Sequence, residues 1–420
     1  MLDQAKSRRF RLRASPKELA AICTLVALLG LAVSIYAPPA WHAYSSSRMA
    51  KLSLPDLESL VKSQPNNVDA RYLLGVAYAR IDRYREAIHE FLAVLEKDPS
   101  RFDALNDLGV AYLVQERYYE ALVAFQGALT AKPDFAPAQA NMGRLHLATK
   151  MPYTAVRELE RAVKLDSSNV PALCDLGRAY LQTLNNKLAE ETYKRAIKID
   201  SNSVISYEGL GEIYLNLGRY SEAESVLNKA LAIAPDDAPG LLTLARVRMN
   251  RTDSGPDLGS IDKLLRRAAQ SDPGDPEIWY ERGRVELRLG RSKEALAMQE
   301  HALQLSPRHI GALHQLERAL RAAGRAAEAD RAASLVQSRT MLEREEARLE
   351  ERTTRNSDDW DAKARLAEIY LQSGKQGLSV LIVRQLKENK PDHPRLPMLL
   401  QALKPQAPLQ VPPALLQGGR

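Results

Sequence analysis

Cysteine is almost missing: the 420 residues hold two, Cys23 and Cys174, too far apart for a disulfide framework and in no metal-type pair. The seven histidines are scattered, and the closest two, His309 and His314, stand five residues apart, off a common helical face. Neither a metal site nor any other cofactor is expected. The chain also lacks a phosphate-cradling Gly-rich loop, an HExxH and a GxSxG, so the common nucleotide, zinc-protease and serine-hydrolase chemistries are excluded and an enzyme is not expected. Aromatic residues make up only 6%. The net charge of +7 is not a property of the main body. Residues 1–18 carry Lys6, Arg8, Arg9, Arg11, Arg13 and Lys17 against Asp3 and Glu18, which is +4 of the +7. The nearly neutral remainder gives no basis for a nucleic-acid partner.

What is abundant is aliphatic and helix-forming: hydrophobic residues reach 45%, and Ala, Leu, Glu and Arg recur throughout. These side chains lose little rotamer freedom in a helix, so an all-α fold is expected. From Leu19 to Ala37 runs LAAICTLVALLGLAVSIYA with no charge, and at about 1.5 Å per residue it nearly crosses a hydrocarbon core of about 30 Å. Six basic residues precede it, whereas Arg48 and Lys51 are the first to follow, a bias that keeps the N-terminus in the cytoplasm. The sequence therefore reads as a basic cytoplasmic tail (1–18), a transmembrane signal-anchor helix (19–37) and a juxtamembrane linker (38–53). A cleaved signal peptide is the competing reading, but its apolar region is shorter, and Tyr36 and Trp41 suit a membrane interface.

Beyond the linker the chain repeats itself. Leu74-Gly75, Leu108-Gly109, Met142-Gly143, Leu176-Gly177 and Leu210-Gly211 follow one another at 34 residues. Tyr78, Tyr112, His146, Tyr180 and Tyr214 keep the same register, as do Ala87, Ala121, Ala155, Ala189 and Ala223, and Phe91, Phe125, Leu159, Tyr193 and Leu227. Small columns let two antiparallel helices approach, large columns fill the space between hairpins, and Pro99, Pro133 and Pro235 end the second helix. Leu244-Ala245 continues the step, with a longer loop from Arg251 to Ser260. Arg282-Gly283 and Leu316-Glu317 bring the units to eight over 68–338. A capping half-repeat (54–67) precedes them. A Glu/Arg-rich helical extension (339–359), a degenerate ninth unit (360–393) and a Pro/Gln/Leu-rich tail (394–420) follow. Little of the chain is left over for a catalytic domain.

This 34-residue pattern resembles the tetratricopeptide repeat family. The resemblance implies a right-handed superhelical solenoid of antiparallel helix pairs, in which the first helix of each pair lines a concave face that binds other proteins or peptides. On that face the residue after each glycine column is Arg144, Arg178, Arg246, Arg284 and Arg318, with Glu212 interrupting the row, and Asn106 and Asn141 lie beside it. An arginine row favours carboxylates through its planar donor fork. Asp175 and Glu281, close to Arg178 and Arg284 on the same helices, would instead neutralise part of it. Val76, Val110, Leu113 and Ala140 make the early groove mildly apolar. The Lys and Asn arrangement with which some co-chaperone members grip a terminal carboxylate is not matched, since Tyr72, Val76, Asn106 and Val110 stand at the lining positions. A single anchor followed by repeats is similar to bacterial inner-membrane proteins with a periplasmic array, which implies an assembly scaffold in envelope biogenesis or secretion. A regulatory adaptor for a short acidic peptide is the alternative. A homo-oligomer has little support: Leu335, Leu342 and Leu349 form one apolar column, and a coiled-coil seam needs two.

Overall fold

The computed structural model describes residues 52–251 and 255–403. The expected basic tail, the signal-anchor at 19–37, most of the linker and the end of the C-terminal tail lie outside them. Among the described residues no helix is long and apolar enough to cross a membrane.

Every described element is a helix. The first, α1 (Leu54–Ser63), stands alone and buries Leu57 and Val61 against Ala70 and Leu74 of the next. Hairpins follow in series: α2/α3 (Val68–Arg80, Tyr84–Lys97), α4/α5 (Phe102–Val114, Tyr118–Ala131) and α6/α7 (Ala136–Ala148, Pro152–Leu165). Then come α8/α9 (Val170–Gln182, Asn186–Ile199), α10/α11 (Val204–Asn216, Tyr220–Ile233) and α12/α13 (Ala238–Asn250, Leu258–Ser271). The series ends with α14/α15 (Pro276–Arg288, Ser292–Leu305), α16/α17 (Ile310–Ala322, Ala326–Arg355), α18/α19 (Trp360–Gln372, Gln376–Asn389) and a last short helix, α20 (Leu396–Ala402). The loop of the sixth hairpin is shorter than its glycines suggest. Asp257 accepts from the Gly259 and Ser260 amides and starts α13 at Leu258.

Local chemistry sets the boundaries. Between hairpins, Asp98, Asp166, Asp200 and Asp272 each accept the amide two residues on, which turns the chain whether a proline follows, as after Asp98 and Asp272, or a serine, as after Asp166 and Asp200. Within hairpins, one residue takes a positive φ: Gly218, Gly290, Gly324 and Gly374 in four of them, but Asp82, Glu116, Lys150 and Leu184 in four others. Leu184 is the costly case, because its Cβ opposes the left-handed conformation and its side chain is 84% exposed, so no packing offsets the strain.

The large column packs on the small one. Phe91 and Phe125 are fully buried, and a methyl group added at Gly75 or Gly109 would lie within 3.0 Å of their rings. Tyr193 is held from two sides, by Gly177 of its own hairpin and by Gly209 of the next, where an added Cβ would come 2.2 Å from the ring. In the seventh unit the large position is Gln299, wholly buried, whose Nε2 donates to the Tyr280 carbonyl at 3.0 Å. The tyrosine column does more than fill volume. Its hydroxyls donate to a glutamate on the second helix of the preceding hairpin, or on α1: Tyr78 to Glu58 at 2.9 Å, Tyr180 to Glu160 at 2.6 Å, Tyr214 to Glu190 at 3.0 Å and Tyr370 to Glu350 at 2.9 Å. Arg83, Arg117 and Arg219 then cover the rings of Tyr78, Tyr112 and Tyr214 at 4.2–4.5 Å.

Two features depart from a plain stack. Helix α17 has 30 residues and spans about 45 Å. Its second half is not simply solvated: Leu349 is 4% exposed within the core of the last hairpin, so the leucine column is used inside the chain and is not a free dimer seam. In addition, α19 crosses the start of α5, so that apolar residues of α2–α6 and α17–α20 belong to one core. The front of the expected tail is likewise structured: α20 buries Leu396 and Leu399, three residues apart on one helix face, beside α18 and α19.

Replacing Leu184 with Gly removes the left-handed strain, worth about 1–2 kcal/mol, at an entropic cost of about 0.5–1 kcal/mol. Leu184→Gly should therefore raise the chemical-denaturation midpoint, whereas Gly218→Leu should lower it.

Candidate partner-binding groove

Neighbouring first helices touch one another along most of the stack, whereas neighbouring second helices scarcely do. The stack therefore curves with its first helices inside, and the residues after the glycine column face that inner side. There the polar side chains form lateral ladders between hairpins. The first ladder begins at Tyr72, whose hydroxyl donates to Asp107 at 2.7 Å, and Asn106 Nδ2 donates to the same carboxylate at 3.0 Å. Asn141 donates to Asn106 Oδ1 at 2.9 Å, Arg144 donates to Asn141 Oδ1 at 2.9 Å, and Arg144 also pairs with Asp175 of the next hairpin at 2.8 Å. Arg178 ends the ladder, 3.8 Å from Asp175.

The second ladder lies five hairpins along from the start of the first. Arg246 reaches forward to Glu277 and, at 3.0 Å, to Glu281, while Arg284 pairs with Glu281 at 2.7 Å and His309 with Glu277 at 3.0 Å. Between the ladders sits Glu208, beside Asp237, which itself accepts the Gly240 amide at 2.8 Å to start α12. Burial first, and then the neighbouring carboxylate, push Glu208 up to about 9, so it stays protonated at neutral pH. Asp107 is also displaced: burial pushes it up to about 7, against the opposing pull of its hydrogen bonds from Tyr72 and Asn106.

The arginine row is thus unequal. Arg144, Arg246 and Arg284 are tied to carboxylates and mostly covered, Arg178 is half exposed at the end of its ladder, and Arg318 is exposed with Gln315 beside it, at 3.4 Å. Asn106 and Asn141 are 1% and 6% exposed and act as rungs between hairpins. Val76, Leu113 and Ala140 are buried as well, and Val110 is half-buried. One inner feature escaped the sequence reading. Leu181, Leu215 and Leu287, three residues beyond Arg178, Glu212 and Arg284 on the same helix faces, are half-buried and form an apolar stripe beside the charges, interrupted in the sixth hairpin where the matching Met249 is buried. Their common spacing from the glycine column was the available signal.

This geometry defines the class: an all-α solenoid of helical hairpins with a laterally laddered inner face. The tetratricopeptide repeat model matches residues 78–135, 142–204, 174–238 and 262–310, so the hairpins within these spans are tetratricopeptide repeats and the stack as a whole is a solenoid of that type. Such repeats generally serve as protein-interaction scaffolds, and no catalytic family is indicated. Among solved structures, the chain is similar to the APC/C hetero-tetramer Cut9-Hcn1, at 18% identity and a TM-score of 0.52, over 64% of this chain and 52% of that one. It therefore spans about half the length of that relative. It is also similar to a tetratricopeptide repeat protein from Parabacteroides merdae, at 16% identity and a TM-score of 0.49, over 63% of this chain and 99% of the other. YrrB, described as a protein of this type with an unusual peptide-binding site, shares 21% identity over 46% of this chain and 96% of its own, with a TM-score of 0.33. At such identities the likeness concerns the fold alone. No curated protein matches the sequence.

Asp107 and Glu208 both bind a proton more tightly folded than unfolded, so each stabilises the fold below its unfolded value and loses that contribution as pH rises through its folded one. For Asp107 the window runs from about 4 to about 7. Asp107→Asn should flatten the fall in thermal midpoint across that window, and Glu208→Gln should raise the midpoint at pH 7, both read by calorimetry against pH.

Proposed function

We propose that the chain is a membrane-anchored scaffold that gathers partner proteins through its inner face, with residues 19–37 as the anchor and the repeats on the side opposite the basic N-terminus. The uncharged run from Leu19 to Ala37 and the six basic residues ahead of it support the topology. A bacterial inner membrane with a periplasmic array fits that layout, and so does a role in envelope assembly or secretion. The observation that carries the binding mode is the pairing of the groove's charges. Most of the arginine row is spent on Asp175, Glu277 and Glu281. The Leu181, Leu215 and Leu287 stripe is left as the available apolar contact, which suits an amphipathic helix or loop better than an acidic peptide.

Two measurements test this. In crosslinked membranes, recovery of co-purifying proteins should fall about tenfold with Leu181→Ala plus Leu215→Ala, roughly 1.4 kcal/mol of binding, and stay near wild type with Arg178→Ala plus Arg284→Ala. The reverse pattern, with loss at high salt, would establish the acidic-peptide adaptor instead. Separately, a reporter active only outside the cytoplasm, joined at Arg420, should be active, and a silent reporter would place the repeats in the cytoplasm.

A further inference from the structure

The repeats need only their immediate neighbours, yet the ninth hairpin also meets the second. Arg384 of α19 places Nη2 3.3 Å from Glu120 Oε1 and its guanidinium 4.8 Å from the centre of the Tyr119 ring, and the Tyr119 hydroxyl donates to Glu388. At the start of α19 the approach is closer still. A Cβ at Gly377 would sit 2.6 Å from the Glu116 carbonyl oxygen and 2.9 Å from the Tyr118 ring, so this position accepts no side chain without parting the two helices. The contact joins residues 264 apart in sequence and closes the hairpins from the second to the ninth into a ring.

On its other side the ninth hairpin is fixed to α17, where Arg365 pairs with Glu345 at 2.8 Å, Lys375 pairs with Glu346, and Tyr370 donates to Glu350 at 2.9 Å. It is carried by α17, and where its turn returns to the stack Gly374 lies beside Arg308 Nη1, a buried group with no hydrogen-bond partner. Arg339, half-buried and donating to the Pro307 carbonyl, is the charged neighbour of Arg308 there, so this corner is tied within the seventh and eighth units. The hairpin therefore belongs with α17 and meets α5 through the smaller contact, so α17 is the arm of a two-position element and the seam is where it parts.

We propose that the ninth hairpin is a clasp that opens and closes the ring at the α5–α19 seam. Closed, it leaves the groove reachable by a segment with a free end, which can thread the ring. Open, it admits an internal loop or a folded partner. The clasp stands on the seam alone, and its consequence for partners rests on the scaffold reading.

Hydrogen exchange and small-angle scattering on the full chain test it without any partner. Arg384→Glu, which sets a carboxylate against Glu120, and Gly377→Gln should each reduce protection of amides 116–122 and 376–388 by about tenfold and enlarge the radius of gyration, with amides 170–233 unchanged. Glu120→Arg combined with Arg384→Glu should restore both readings, which separates a broken seam from a hairpin that no longer folds. Unchanged protection in both single variants, or no recovery in the charge-swapped pair, would overturn the clasp. Intact clasp behaviour with unaltered partner recovery would leave the seam in place and remove only its bearing on binding.

Discussion

Each hairpin in this chain has an apolar side that only another hairpin can cover, and the rest of the structure follows from that constraint. It dictates that small residues stand where two helices meet, that a ring or leucine fills the space they leave, and that the series cannot end without a cover. Helix α1 supplies one cover through Leu57 and Val61, and α20 contributes to the other through Leu396 and Leu399. The hydroxyls of the tyrosine column add direction to this packing. By reaching back to Glu58, Glu160, Glu190 and Glu350 they fix how each hairpin sits on the helix before it, with a charged acceptor that makes each bond worth more than a neutral one.

The inner face inherits its properties from the same stacking. Because first helices lie side by side, an arginine on one finds a carboxylate on the next, and a row of charges that would attract acidic ligands becomes a set of internal ties. Arg144 with Asp175 and Arg246 with Glu281 are formed between hairpins, at separations of 31 and 35 residues, near the repeat length itself. What stays available is chemically mixed: a leucine stripe, with Arg178 and Arg318 beside it.

How much of this could be read beforehand depends on whether the determinant is periodic. The glycine, tyrosine and alanine columns recur at a fixed step, so the solenoid was legible from residues such as Gly109 and Tyr112 alone. The arginine row was legible for the same reason, although its partners across hairpins were only half visible, since Asp175 and Glu281 read most simply as partners on their own helices. Singular features left no periodic trace. Leu184 holds a positive φ that its neighbours' glycines would suit better, α20 is too short for its two buried leucines to form a pattern, and the meeting of Gly377 with Glu116 is set by geometry accumulated over seven hairpins.

The length of α17 carries a consequence for how this chain can vary. The step from the eighth to the ninth unit exceeds the regular repeat by about 16 residues, all of them helical, which moves the last hairpin about 24 Å along the axis and turns it by more than a third of a revolution. Adding or removing a single residue there would swing α19 by about 100° and carry it off α5, while the same change in the loop after Asn250 would be absorbed locally. Helix α17 therefore acts as a ruler marked in whole turns. Changes in its length are tolerable only in steps near three and a half residues, and even then each step moves the last hairpin about 5 Å along its neighbours.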